Sequence, residues 1–494
     1  MRGAWRVADI QAAEAGLLSG VPDGALMARA AAGLARRCAH VLSERTGGVY
    51  GRRVLILAGA GNNGGDALYA GATLAGRGVG VTAVLLDVDR VHPGGRAALL
   101  AAGGVVRPAR VERQPLESIT ADLVIDGILG IGGKGALRDP AADLVAAAAQ
   151  VRGRDGERAT MVAVDVPSGI GVDSGAVAGA AGTADLTVTF GVLKTGLLIG
   201  AGAARSGVLD LVDIGLEPWL RTPPALFVPE FEDIAAWWPR PRRDDDKYTR
   251  GVVGVATGSR TYPGAAVLSV AGASAGPAGA VRYAGEASDA VRARYPAVIA
   301  ADRVADAGRV QAWVCGSGLG TDRRAMGELR AVLGTHVPVC LDADAITLLV
   351  DGSMADLLRT RTAPVVLTPH DREFARLAGC DPGDDRVEAA LNLAAKARAV
   401  VLLKGDHTIV ATPDGRAFVN TTGTADLATA GSGDVLAGLL GSLLAAGLSA
   451  ERAAVAASYA HGLAGQLAAA SGPVTADLVA EALRSAVADL SPAG

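Results

Sequence analysis

The residues in this sequence that could do chemistry cluster where apolar runs give way to glycine. In LILAGAGNNGGDALYAGATL (55–74) a strand-like run ends in a glycine loop, and an Ala-rich helix is expected to begin near Asp66. Backbone N–H groups exposed in such a loop and helix start suit a phosphate. Asn62, Asn63, Gly64, Gly65 and Asp66 form the core of this segment, and the amides add oxygens that can face a ligand or a cation. The competing reading is a tight turn with Asp66 as an N-cap, but two Asn and two Gly exceed what a cap needs. VIDGILGIGGKGALRDP (124–140) places Asp126 where a second strand stops, followed by a glycine-rich loop with Lys134. AVDVPSGIGVDSG (163–175) puts Asp165 at a third strand end, beside the sharp turn Pro167-Ser168-Gly169. Asp126 taken alone reads equally well as a loop cap. The carboxyl ends of parallel strands converge on one crevice, so Asn63, Asp126, Asp165 and Ser168 are expected to meet in space. Oxygen donors of this kind suit a hard cation such as K⁺, Na⁺ or Mg²⁺.

The second half carries its own set. ATAGSGDVLAG (428–438) is a glycine turn running into a helix, and the N–H groups of Gly431–Gly433 would form an anion hole. Asp434 can act there as a base on a substrate hydroxyl, as phosphoryl transfer requires; the alternative is an N-cap after a loop. AVVLLKGDHTIV (399–410) ends a buried strand at Lys404-Gly405, where a lysine can meet nucleotide phosphates, although a solvated lysine is the commoner case. LTPHDREF (367–374) places His370 and Glu373 after another strand, and a lone His is more often structural. VCGSGLG (314–320) and TGSRTYPGAA (257–266) add two glycine turns, each a weak signal alone.

These segments need a scaffold that aligns strand ends. Apolar runs rich in β-branched residues recur at 52–59, 81–86, 122–127, 161–169 and 185–190, with Ala-rich helical stretches between them. A second series follows at 251–259, 310–320, 337–346, 363–370 and 399–405. Continuous apolar strands alternating with helices predict parallel sheets covered on both faces. Between the series, 216–244 holds EPWL, RTPP, WWPRPRR and the start of an Asp run, which predicts a linker. The expected organisation is an α/β protein of two domains, 1–215 and 245–494, joined by 216–244.

Composition narrows the classes. The 494 residues are enough for about two to four domains. Half of them are hydrophobic, so a large core can form, and with 3% aromatics it must be mainly Ala, Val, Leu and Ile. Gly numbers 67, about twice usual usage, without a collagen period. A net charge of −4 argues against a nucleic-acid or anionic-membrane binder. Cys38, Cys315, Cys340 and Cys380 show no C-x-x-C spacing, and the six His form no H-x-x-x-H pattern, so a zinc site is not expected. No segment reads as a signal peptide or a membrane span, and a cytoplasmic protein is expected.

The first half resembles the NAD(P)H-hydrate epimerase family through LMARAA (26–31), GAGNNGGD (59–66), DGILGIG (126–132) and DVPSG (165–169). The resemblance implies a Rossmann-like three-layer sandwich. It implies that Asn62–Asp66 and the loop Gly130, Ile131, Gly132, Gly133, Lys134, Gly135 and Ala136 hold the hydrated nucleotide. It also implies K⁺ at Asn63, Asp126 and Ser168, with Asp165 against the substrate as a catalytic group. This loop departs from the family's usual D-A-L-F-G-T-G-L: Leu129 replaces the aromatic and Ile131 the Thr.

The second half resembles the ribokinase-like superfamily, and within it the NAD(P)H-hydrate dehydratases. The carriers are KYTRGVVGVATGS (247–259), YPGAA (262–266), CGSGLG (315–320), LDADA (341–345), TPHDREF (368–374), KGDHT (404–408) and GSGD (431–434). The resemblance implies that Ala265, Gly318, His370 and the catalytic Asp434 contact the hydrate. Lys404, Gly405, Asp406, His407, Thr408 and Gly433 would contact the nucleotide, which in bacterial members is generally ADP, used with Mg²⁺. The implied enzyme epimerises R and S NADHX and NADPHX. It dehydrates the S form with ADP, giving NAD(P)H, AMP and phosphate. A homo-oligomer is expected. The rivals are a vitamin-precursor kinase, which leaves the first half unexplained, and a non-catalytic nucleotide-binding protein, against which Asp165 and Asp434 argue.

Overall fold

The computed structural model describes residues 1–109, 119–133, 135–350 and 352–490. The chain divides into two compact units, Gly3–Ala225 and Leu226–Gly494 with Met1–Arg2.

In the first unit the strands are β1 (Arg2–Trp5), β2 (Arg53–Ala58), β3 (Gly80–Leu85), β4 (Val105–Pro108), β5 (Leu123–Gly127), β6 (Thr160–Val164), β7 (Leu186–Phe190), β8 (Leu193–Lys194) and β9 (Val208–Val212). Seven of them form a parallel sheet in the order β4-β3-β2-β5-β6-β7-β9. Strand periodicity sorts the side chains. Val54, Ile56, Ile125 and Val162 join one core with the helices Ala25–Thr46 and Asn62–Ala75. Leu55, Leu57, Val124 and Met161 join a second core with the helix Ala141–Ala148. Burial on both faces explains why these strands read as unbroken apolar runs. The order of strands reverses between β2 and β5, and the crevice for a ligand opens at such a switch point.

The second unit contains β10 (Leu226–Val228), β11 (Val252–Ala256), β12 (Ala280–Ala284), β13 (Ile299–Ala301), β14 (Ala312–Cys315), β15 (Val339–Leu341), β16 (Val365–Leu367), β17 (Val400–Leu403), β18 (Ile409–Ala411) and β19 (Ala417–Val419). They lie in the order β13-β12-β11-β14-β15-β16-β17-β18-β19-β10. Pairing is parallel from β13 to β17 and antiparallel through β18 and β19. Here the reversal lies between β11 and β14. The helix Ser432–Ala445 packs on the sheet and meets the helix Pro263–Ala275 backbone to backbone. Only glycine permits that approach: a Cβ at Gly438 would stand 2.0 Å from Ser269 O, and one at Gly272 2.0 Å from Val435 O.

Two expectations meet a different structure. Residues 216–244, expected as a linker, hold β10 and the helix Phe231–Trp237, and Leu226, Val228, Ile234 and Trp238 are buried. Their prolines bound these elements rather than mark an unstructured join. The helix expected near Asp66 begins at Asn62, with Gly61 as its N-cap, so Asp66 is not a cap.

Candidate active sites

In the first unit, the helix after β2, the turn after β5 and the turn after β6 bring Asn63, Asp126 and Ser168 together. Asp126 is buried at the end of β5. Its carboxylate accepts from Ser168 Oγ at 2.7 Å, Ser168 N at 3.0 Å and Ile128 N at 3.3 Å. Ser168 Oγ in turn accepts from Leu129 N at 3.0 Å. Burial holds the Asp126 carboxyl above the usual carboxylate range, against the pull of the Ser168 and Ile128 hydrogen bonds. The Asn63 side chain lies against Gly130, where a Cβ would stand 2.9 Å from Asn63 Oδ1, and Asn63 Nδ2 is buried with no hydrogen-bond partner among the described residues. A Cβ at Gly182 would stand 2.9 Å from Asp126 Oδ2, so the wall beside this carboxylate must be glycine.

Asp165 sits just past β6 at φ 67°, a conformation uncommon outside glycine but better tolerated by Asp. Its Oδ1 accepts from Lys194 Nζ at 2.5 Å, and from Thr189 Oγ1 and Phe190 N at 3.2 Å. Lys194 is 1% exposed and also donates to Thr189 Oγ1 at 2.9 Å and Phe190 O at 2.8 Å. Its backbone is fixed by the pairing of β8 with β1, Trp5 opposite Lys194. Two further acids face this pair. Asp66, buried, is pushed up to about 8 by burial and then by Asp165 and Glu14. Glu14, from the helix Val7–Leu18, is raised by burial and by Asp165. Among the described residues Asp66 Oδ1 has no hydrogen-bond partner. Of the acids gathered here, Asp66 is held protonated near neutral pH by burial and by its acidic neighbours, and Glu14 is shifted in the same direction.

Lys194, Glu14 and Thr189 were not singled out in the sequence. The available signal was FGVLKTG (190–196), a lysine inside an apolar run directly after a strand. In the loop 130–136, Gly130 backs Asn63, Gly133 N donates to Gly130 O at 2.9 Å, and Ile131 packs at the edge of the core. Gly132 and Gly135 are exposed, Ala136 is half-buried, and Lys134 lies outside the described residues.

In the second unit, the turns after β11, β14, β15, β16 and β17 face the start of the helix Ser432–Ala445. Gly318, at φ 61°, abuts Ala265: a Cβ on it would lie 2.7 Å from Ala265 Cβ. Asp342 stands at the end of β15, before Ala343 at a strained φ of 47°. Its carboxylate accepts from Lys404 Nζ at 2.7 Å, Thr368 Oγ1 at 2.8 Å and Ser317 Oγ at 3.0 Å. Lys404 Nζ is also 3.7 Å from Glu373 Oε2, and Glu373 accepts from His370 N in a capping box. The helix Ser432–Ala445 begins after Gly431, at φ 90°, with no side-chain cap. A Cβ at Gly433 would stand 3.5 Å from Lys404 Nζ, so the ammonium faces that helix terminus. Both supply positive potential at one point. Asp434, on the first turn, is pushed up to about 7 by burial and then by Asp342, against the pull of Lys404. Of the remaining expected residues, Gly405 and Asp406 are exposed and His407 and Thr408 half-buried, while the His370 side chain is 47% exposed. Asp342 and Thr368 lie in LDADA and TPHDREF, but nothing in those segments alone gives either residue a role.

Comparison with known proteins agrees with this division. Residues 23–196 match the YjeF-related protein N-terminus family, and residues 253–485 match the NAD(P)H-hydrate dehydratase family. The chain is 50% identical over 456 residues to the bifunctional NAD(P)H-hydrate repair enzyme of Mycobacterium tuberculosis, covering 92% of this chain and 91% of that one. The chain belongs to the bifunctional NAD(P)H-hydrate repair enzymes. It is also 48% identical over 497 residues to the repair enzyme of Mycobacterium leprae, covering 99% of this chain and all of that one. A ribokinase-like superfamily protein of Enterococcus faecalis, 25% identical, aligns with 55% of this chain and 98% of its own at a TM-score of 0.50. This repair enzyme thus couples an NAD(P)H-hydrate epimerase half to a ribokinase-like NAD(P)H-hydrate dehydratase half.

Proposed function

We propose that the two activities reside in the two clusters just described. In the epimerase, the hydrate lies over Asn62–Asp66 and Gly130–Ala136, with Asp165 moving the proton that inversion at the hydroxyl-bearing carbon requires. Lys194 Nζ, 2.5 Å from Asp165 Oδ1, orients that side chain. K⁺ fits Asn63, Asp126 and Ser168, whose side-chain oxygens offer a hard donor set around a buried acid with no cationic partner among the described residues. When bound it would supply positive charge for the phosphates and hydroxyl of the hydrate.

In the dehydratase, the hydrate lies against Ala265, Gly318 and His370, and ADP against Lys404–Thr408 and Gly433. Asp434 takes the proton of the substrate hydroxyl, whose oxygen attacks the β-phosphorus of ADP while AMP leaves. Loss of phosphate from the ester, with a proton from the neighbouring carbon, restores the double bond. Phosphate is a far better leaving group than hydroxide. Magnesium would arrive as the counterion of ADP. This chain's own charge-neutralising groups are Lys404 and the helix terminus at Gly431–Gly433. No described helix is long and apolar enough to cross a membrane, and Cys38, Cys315, Cys340 and Cys380 are free thiols, which supports work in the reducing cytoplasm.

The observation that carries this reading is Asp434, a half-buried acid at an uncapped helix terminus facing Lys404. Asp434→Ala is expected to lower dehydration about 10²–10⁴-fold and leave epimerisation intact. Asp165→Asn is expected to do the reverse. Wild-type dehydration by folded Asp434→Ala protein would remove Asp434 from the mechanism.

A further inference from the structure

Arg386 opens the helix Arg386–Ala397, and no motif in the sequence draws attention to it. Its guanidinium joins two loops. Nη1 donates to Asp371 Oδ2 at 2.9 Å and Nη2 stands 2.8 Å from Asp371 Oδ1, a bidentate pair. Nη2 also donates to the carbonyl of Lys404 at 3.0 Å. Asp371 directly follows His370, while Lys404 starts the loop after β17. The Arg386 side chain is only 17% exposed, so it is not a solvated surface partner.

These bonds set the orientation of a peptide. The Lys404 N–H donates to Pro369 O at 2.8 Å, and its carbonyl is taken by Arg386, so residue 404 is fixed on both sides. The carbonyl of Lys404 and the N–H of Gly405 belong to one trans peptide and point in opposite directions. Arg386 therefore turns the Gly405 N–H away from itself, and no described residue accepts from it. The guanidinium packs against this glycine: a Cβ there would lie 3.0 Å from Nη2 and 3.6 Å from Cζ.

We propose that Arg386 is the positioning residue of the nucleotide site. It holds the Gly405 N–H toward the nucleotide and ties the loop 404–408 to the His370 loop that meets the hydrate. The inference rests on the reading of Lys404–Thr408 as the nucleotide loop. Lysine cannot replace this arginine, because one ammonium cannot span a carboxylate and a carbonyl in the same planar fork.

The test uses the full chain carrying Arg386→Ala, Arg386→Lys or, as a control inside the loop, Thr408→Ala. Dehydration is measured with ADP varied at saturating S hydrate, alongside calorimetric titration with ADP alone and thermal unfolding. Arg386→Ala is expected to raise KM and Kd for ADP about tenfold, with a much smaller change in kcat, and Arg386→Lys to rescue little of it. Should the alanine variant fail to fold, the lysine variant carries the same expectation. Wild-type ADP affinity in the Arg386 variants beside weakened affinity in Thr408→Ala overturns the role of Arg386 and leaves the loop assignment standing. Wild-type affinity in all three overturns the loop assignment and the inference with it. A fall in melting temperature and kcat without a change in ADP affinity marks a purely structural role and also overturns it.

Discussion

Removing the ammonium of Lys194 should damage the first unit twice. Lys194→Met keeps the length of the side chain but takes one donor from each of three acceptors, Asp165 Oδ1, Thr189 Oγ1 and Phe190 O. It leaves the Asp165 carboxylate buried without its countercharge. Breaking a buried pair in this way costs about 3–5 kcal/mol. The unit spans Gly3–Ala225, a size at which each kcal/mol shifts the melting temperature by about 2–4 °C. The melting temperature of that unit should therefore fall by about 6–20 °C. Epimerisation should fall to the spontaneous rate, while dehydration of S hydrate persists. Adding Asp165→Asn removes the orphaned charge, so the double variant should regain much of the lost stability and none of the epimerase activity. Differential scanning calorimetry, with an R-hydrate assay in which excess dehydratase makes epimerisation limiting, reads both effects. A Lys194→Met protein that melts and epimerises like wild type would refute the pairing as the organiser of this site.

The remaining expectations concern protonation and the cation. Asp434 must be ionised to act as a base, and burial raises it to about 7, so dehydration should climb with pH through neutrality and level off above it; a rate independent of pH between 6 and 8 would contradict this. The same shift sets a sign for stability. A raised acid contributes fully only below its ordinary range near 3.8 and loses that contribution as pH climbs from there to about 7, so Asp434→Asn should melt above wild type on the alkaline side, by less near pH 5 and not at all below about pH 4. Replacing K⁺ with tetramethylammonium should slow epimerisation and spare dehydration. Ser168→Ala, which removes a hydroxyl shared by Asp126 and Leu129, should raise the K⁺ concentration needed for half-maximal epimerisation.

The central strands were legible because they are buried on both faces: β2, β3, β5, β6 and β7, and later β11 and β14–β17, are the apolar runs of the sequence. Strands with a polar or exposed face were not. AVRYA at β12 carries Arg282, and Val208 on β9 is 68% exposed. The start of the first catalytic helix was misplaced because Asn-Asn-Gly-Gly has poor helix propensity, which packing overrides. Those glycines serve contact rather than turning: a Cβ at Gly64 would stand 2.2 Å from Gly59 O and one at Gly65 3.0 Å from His92 Cγ. Strand-end acids were legible by position. Their partners were not, because Lys194 looks like a surface lysine until β8 places it in the interior, and Asp342 looks like a cap until Lys404 and Thr368 converge on it.

The most direct test of the whole account is recovery of reduced cofactor from a mixture of R and S hydrates, followed by dihydropyridine absorbance. With ADP, wild-type protein should recover both epimers at a catalysed rate. Asp165→Asn should recover the S fraction quickly and the R fraction at the spontaneous rate, and Asp434→Ala should recover neither. Recovery that needs no nucleotide, or an Asp165→Asn protein that consumes R hydrate as fast as wild type, would contradict the assignment of two reactions to two separate carboxylates.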